Sequence, residues 1–118
     1  MVTHVDRSVV EEWIAAGPES DRPCLIDVRN SDEVNESGLI GYARHVPLQD
    51  IIQRRVFETL SEEEWESEYG FQKPTPETRL AFYCKAGVRS QMAAETFEAG
   101  GAKTTFNYVG SAAEWFRL

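Results

Sequence analysis

Two short apolar runs, residues 24–28 and Leu80–Tyr83, and a third strand-like run at residues 104–109 alternate with segments of helical character. This alternation constrains the fold more than any other feature of the chain. A strand that is apolar along its whole length, rather than at every second residue, needs cover on both faces, and helical crossovers between parallel strands supply that cover. The expected fold class is therefore α/β: a mostly parallel central sheet with helices on both faces.

The remaining segments fit between these strands. Residues 3–5 read as a short edge strand. Asp6 then caps a helix that carries Val9, Val10, Trp13 and Ile14 on one face and stops at Gly17-Pro18. Asn30 or Ser31 opens a brief helical turn containing Asp32 and Glu33, and residues 44–47 form a short strand closed by Pro47. Ile51, Ile52 and Val56 lie at roughly helical spacing within residues 48–57. Ser61 with Glu64 is a capping box opening an acidic helix through Tyr69, with Trp65 and Tyr69 turned inward. Pro74 and Pro76 bound a loop, residues 89–99 form the next helix before Gly100-Gly101, and residues 111–117 form a last short one. With 118 residues and no repeat, the expectation is one domain over 1–118.

The sharpest chemical signal lies where the second apolar strand stops. Cys84-Lys85-Ala86-Gly87-Val88-Arg89-Ser90 places a cysteine at a strand end, immediately before a helix start. Backbone N–H groups of the turn and the positive end of the helix dipole favour an anion there, and such placement lowers a cysteine pKa from about 8.5 to ~3.5–7.5. Gly87 lets the turn fold back, while Lys85 and Arg89 bring positive charge. A thiolate at Cys84 could attack the outer sulfur of a donor such as thiosulfate, release sulfite and hold a persulfide until an acceptor removes the sulfur. Successive amides from Lys85 through Ser90 would cradle that sulfur, so no metal or organic cofactor is needed. Lys85 would hold the sulfonate end of the donor; Arg89 either strengthens the local field or ties the loop to a carboxylate. Asp27, near the end of its strand, could orient the loop from behind, or form a structural pair with Arg29, which in turn would reach Glu33 four residues on.

Other candidates have plainer readings. Cys24 heads an apolar strand without loop amides or a nearby glycine, and reads as a packed core residue. His4 and His45 lack companions at metal-ligand spacing, so no metal site is expected.

The net charge of −8 argues against nucleic acid or an anionic membrane as a partner. No apolar stretch approaches the ~18 residues of a membrane span, and no secretory leader opens the chain. Two cysteines make no disulfide framework, so a reducing, intracellular setting is expected, cytoplasmic or mitochondrial. The expected partners are a small-molecule sulfur donor and a thiol acceptor such as glutathione or thioredoxin, with the chain a monomer or weak dimer.

The loop from Cys84 to Ser90 resembles the active-site loop of single-domain rhodaneses, which are sulfurtransferases. Asp27-Val28-Arg29 with Glu33 resembles the family's first-strand signature. Gly38-Leu39-Ile40 through Val46-Pro47 is similar to its middle loop and second strand, and Tyr108-Val109-Gly110-Ser111 with Trp115 to its C-terminal signature. The likeness spans nearly the whole chain and is nearest to small eukaryotic members of the thiosulfate:glutathione sulfurtransferase type. It implies a rhodanese fold and a persulfide carried on Cys84. Leu39, Gly41 and Tyr42 replace the His, Pro and second Gly common in the middle loop, and Ser111 stands where a second glycine is common.

Two other classes compete. A Cys-based phosphatase or arsenate reductase would use a similar strand, loop and arginine, but with five residues between Cys and Arg where this chain has the four from Lys85 to Val88. The shorter ring of amides suits a single sulfur better than a tetrahedral phosphate. A non-catalytic rhodanese-like binding module is the other alternative; such modules typically lack the cysteine, which is retained here.

Overall fold

A computed structural model describes residues 1–118. Five strands, β1 (Thr3–Val5), β2 (Cys24–Asp27), β3 (Arg44–His45), β4 (Leu80–Tyr83) and β5 (Thr105–Tyr108), pair in the order β1-β5-β4-β2-β3. Every pairing is parallel. The seven helices are α1 (Arg7–Ala16), α2 (Ser31–Ser37), α3 (Leu48–Ile52), α4 (Val56–Thr59), α5 (Glu62–Tyr69), α6 (Val88–Ala99) and α7 (Ser111–Phe116). The expected α/β class with a parallel sheet covered on both faces is what the chain forms.

The period of two along β4 divides the core. Leu80, Phe82 and Cys84 point to one face, where they meet Ile51, Val56, Trp65, Ala93, Ala94 and Phe97 from α3 to α6. Ala81 and Tyr83 point to the other, against Val10 of α1 with Trp13, Ile14 and Trp115 alongside. Both layers are needed, because β4 is buried at every position. Local signals fix the helix starts: Asp6 Oδ1 accepts the Val9 N–H at 3.3 Å, and Ser61 Oγ accepts the Glu64 N–H at 3.1 Å while Glu64 Oε1 accepts the Ser61 N–H at 2.9 Å. On the acidic α5, Trp65 is buried, stacked on Phe57 at 5.3 Å and against Tyr69 at 4.6 Å.

The single helix expected across residues 48–57 is instead two, α3 and α4, broken at Arg55 in the left-handed region (φ 54°). Ile51 and Val56 are both buried in the same core layer. Five residues apart on one continuous helix of 3.6 residues per turn, they would face away from each other. The break lets both reach the core, at a strain of roughly 1 kcal/mol for a non-glycine residue at positive φ.

All strands being parallel, their C-terminal ends share one edge of the sheet, and β2, β4 and β5 there deliver Asp27, Cys84 and the Tyr108–Ser111 turn.

Candidate active site

Cys84 is the residue after β4, and its side chain is 1% exposed. The chain turns back over it through Lys85-Ala86-Gly87 into α6. Gly87 (φ 91°) adopts a conformation that only glycine holds without strain, and a Cβ there would stand 2.7 Å from the Val109 carbonyl oxygen. This turn brings the Gly87 N–H to Cys84 Sγ at 3.1 Å, with Ser90 Oγ at 3.3 Å on another side. Burial alone would push the thiol up; the Ser90 hydroxyl and the amides of Ser90, Ala86 and Gly87 outweigh it and leave the Cys84 pKa below its ordinary value. Of the loop amides, that of Gly87 hydrogen-bonds the sulfur, and those of Ala86 and Ser90 add to the field that favours the thiolate.

The loop is fastened from behind by the β5–α7 corner. Ser111 Oγ accepts the Cys84 N–H at 3.2 Å and donates to the Tyr108 carbonyl at 2.7 Å. The N–H groups of Ala112 and Ala113 donate to the carbonyls of Cys84 and Lys85, each at 2.9 Å. Asn107, in the middle of β5 and 2% exposed, donates through Nδ2 to the Gly87 carbonyl at 3.1 Å and to Gln91 Oε1 at 3.1 Å. Its Oδ1 accepts from Ser90 Oγ at 2.7 Å. A serine has one hydroxyl proton, so while Ser90 donates to Asn107 it can only accept from the Cys84 thiol; it must turn that proton to sulfur when the thiolate forms.

Asp27 and Arg29 form the buried pair expected of them. Asp27 is 0% and Arg29 1% exposed, joined by Nη2 to Oδ2 at 2.8 Å and by Nε to both carboxylate oxygens. Arg29 then bonds Ser37 Oγ at 2.9 Å and the Gly38 carbonyl at 3.0 Å, tying the end of β2 to the end of α2. Its bonds go there and not to Glu33. Glu33 pairs with Arg89, whose Nη1 and Nη2 meet Oε1 at 2.7 Å and Oε2 at 3.0 Å. The expected bond from Arg29 to Glu33 is therefore corrected: burial of Arg29 against Asp27 holds the guanidinium inward, and the carboxylate four residues on turns to the loop instead. Arg89 accordingly ties the loop to a carboxylate.

Lys85, Ala86 and Val88 are exposed at the rim, Val88 to 70%. Lys85 lines a cleft of about 320 Å³ with Arg29, Glu33, Glu36, Ser37 and Leu118. No carboxylate lies within 4.0 Å of its ammonium. Cys24 lies at the opposite edge of the sheet, its thiol pushed up to about 11 by burial, with Arg44 opposing. His4 Nε2 meets Gln91 Oε1 at 2.9 Å and His45 Nε2 meets the Arg29 carbonyl at 2.7 Å. No group of three or more His, Cys, Asp or Glu side chains is placed to hold a metal ion.

Asn107 and the hydroxyl of Ser111 are site residues that no motif in the sequence marks. A signal for Asn107 was available, since a polar amide in the middle of a strand between two apolar layers is tolerated only with partners.

A family model of the rhodanese-like domain matches residues 9–118. The chain belongs to this family. A Schizosaccharomyces pombe protein provisionally named a mitochondrial thiosulfate sulfurtransferase is 38% identical over 91 residues, 77% of this chain and 61% of that protein. The mouse thiosulfate sulfurtransferase/rhodanese-like domain-containing protein 3 is 34% identical over 77% of this chain and 56% of its own length. The chain thus spans about three fifths of these relatives. Among solved structures, the single-domain sulfurtransferase RDL2 of Saccharomyces cerevisiae superposes with a TM-score of 0.80 at 26% identity, covering 99% of this chain and 90% of that one. The human single-domain sulfurtransferase TSTD1 shares the fold, with a TM-score of 0.84 at 24% identity over 99% of this chain and 97% of that one. The rhodanese-like fold is thereby that of this chain.

Proposed function

We propose that the protein moves sulfane sulfur from thiosulfate or a similar donor to a thiol or cyanide acceptor through a persulfide on Cys84. The observation that carries this reading is the Cys84 sulfur under the Gly87 N–H and beside Ser90, with its pKa depressed despite burial. The names of two yeast relatives, thiosulfate sulfurtransferases in fission and budding yeast, support the same donor chemistry.

In the first half-reaction the thiolate's electron pair forms a bond to the outer sulfur of thiosulfate. The donor's S–S bond breaks, and its pair leaves on sulfite. Charge is conserved, because thiolate plus dianion becomes persulfide anion plus sulfite dianion. In the second half-reaction cyanide or a thiolate takes the outer sulfur, the Cys84 S–S bond breaks, and the thiolate returns. The amides of Ala86, Gly87 and Ser90 stabilise the anion on Cys84 in both resting states. Lys85 attracts the sulfonate end, and Arg29 with Asp27 keeps the adjoining wall of the cleft in place. The proposed acceptors are glutathione, thioredoxin or another small thiol carrier. Mitochondrial designations on the fission-yeast relative and on the budding-yeast thiosulfate sulfurtransferase RDL2 support a mitochondrial or cytoplasmic setting.

Two alternatives have less support. The phosphatase reading needs an arginine free to bind phosphate, and Arg89 is engaged by Glu33. An inert binding module has no use for a thiol of depressed pKa. Intact mass spectrometry after incubation with thiosulfate should find the mass of one sulfur atom added to the native protein and to Cys24→Ser, and none to Cys84→Ser. Native protein that gains no sulfur would remove this reading.

A further inference from the structure

Within a strand–cysteine–loop–arginine–helix arrangement, the arginine at the loop end is the side chain built for a tetrahedral oxyanion: planar, permanently charged, and forked to meet two oxygens. Here the fork is already filled. Both terminal nitrogens of Arg89 donate to the two oxygens of Glu33, at 2.7 and 3.0 Å. Glu33 is itself anchored, because Oε1 also accepts the Asn30 N–H at 3.0 Å at the start of α2. The Arg89 guanidinium lies within electrostatic reach of the nucleophile, since the charge of Cys84 is among those that raise its pKa, after the bond to Glu33. Both of its terminal nitrogens nonetheless donate to a carboxylate. Arg29, the arginine that lines the neighbouring cleft, is likewise held by a carboxylate, that of Asp27. Lys85 is left as the one cation lining the cleft without a carboxylate within 4.0 Å.

We infer that Glu33 determines which anions the Cys84 loop accepts: by occupying both arms of Arg89 it withholds the loop from tetrahedral oxyanions such as phosphate, arsenate and sulfate. The inference deepens the proposed function in that both place the reactive centre at Cys84, but it does not depend on which sulfur donor is used. A free guanidinium at the loop end would hold such ions near the thiolate and block it. Glu33 removes that competition and leaves capture of anions to Lys85 and the loop amides.

Glu33→Gln separates the charge from the scaffold. The glutamine carbonyl oxygen can still accept the Asn30 N–H and one Arg89 N–H, whereas its NH2 group turns the other terminal nitrogen away and the neutral side chain no longer cancels the guanidinium charge. The probes are inorganic phosphate and sulfate, and the readout is their protection of Cys84 from iodoacetamide at constant ionic strength, which requires no sulfur transfer. Protection by either ion should become roughly tenfold tighter in Glu33→Gln, a change of about 1.4 kcal/mol. It should return to the native level in Glu33→Gln with Arg89→Gln. Unchanged protection in the single variant, or a gain that survives in the double variant, would overturn the inference.

A measurement on the native chain keeps the test decisive should Glu33→Gln fold poorly. The Arg89 side-chain N–H signal in nitrogen-15 NMR should stay fixed through a phosphate titration, and its displacement would mean that the guanidinium already serves oxyanions. Tighter protection in Glu33→Gln without sulfur uptake by Cys84 would keep this inference and remove the proposed function. Sulfur uptake with unchanged protection would do the reverse.

Discussion

The side-chain amide of Asn107 donates to the carbonyl of Gly87 at 3.1 Å, and the N–H of the same glycine donates to Cys84 Sγ at 3.1 Å. One peptide unit on each side of Gly87 is thus fixed, one by a strand residue and the other by the sulfur. Asn107→Asp keeps size and shape but replaces the donor with a carboxylate that repels both the Gly87 carbonyl and a thiolate. Alkylation of Cys84 by iodoacetamide at pH 7 should slow by roughly tenfold, its pH midpoint moving upward. An unshifted profile would show that the loop amide is held without Asn107.

Ser111 is a non-glycine residue at φ 57°, and its hydroxyl bridges the Cys84 N–H and the Tyr108 carbonyl. Ser111→Gly relieves strain of roughly 1–2 kcal/mol and loses hydrogen bonding of similar size. Urea unfolding should therefore move by less than about 1 kcal/mol. Turnover should still fall, because the nucleophile's own amide loses its anchor. Native kcat in Ser111→Gly would leave the hydroxyl without a role in positioning.

In the proposed reaction thiosulfate, a dianion, must approach a chain of net charge −8, so only local positive field such as that of Lys85 can draw the donor in. Lys85→Glu should raise KM for thiosulfate by roughly tenfold or more, and moderate salt should shrink that penalty, since the side chain is exposed. Equal KM values for the two proteins would shift donor capture to the loop amides.

The Glu33 carboxyl is held down at about 2 by its bonds to Arg89, with the Asn30 N–H assisting and burial opposing. Its folded pKa lies below the unfolded one, so the unfolded chain takes up the proton first. The pair's stabilisation is fully present above about 4.5 and fades as pH falls from there to about 2. Urea midpoints of native protein and Glu33→Gln should converge across that window. With the carboxylate 28% exposed, the gap at neutral pH should be modest. A gap that stays constant across the window would mean that the ion pair does not stabilise the fold.

Much of this architecture was legible in short-range pattern. Leu80–Tyr83 has the bounds expected, Cys24–Asp27 differs from expectation by one residue, and the nucleophile's place between strand and helix follows from Gly87 and the residues around it. What was not legible depends on contacts distant in sequence. Nothing local in Gln53-Arg54-Arg55 announces a break; it arises because Ile51 and Val56 must both enter one core layer. Spacing favoured Arg29 for Glu33, and only the burial of Arg29 on Asp27 hands that carboxylate to Arg89. Asn107 and Ser111 looked like strand and turn residues until the loop they fasten was folded against them.

Those fastenings all come after the loop in the chain: Asn107, Ser111, Ala112 and Ala113 hold a segment that ends at Ser90. The cysteine and its loop amides are therefore synthesised before the residues that hold the loop in shape. A chain truncated before Asn107 carries the complete loop without its fastenings and should present Cys84 as an ordinary thiol, alkylating with the pH profile of free cysteine. The acidity of this thiol is thus a report on whether the segment after it has folded, and not on the loop sequence alone.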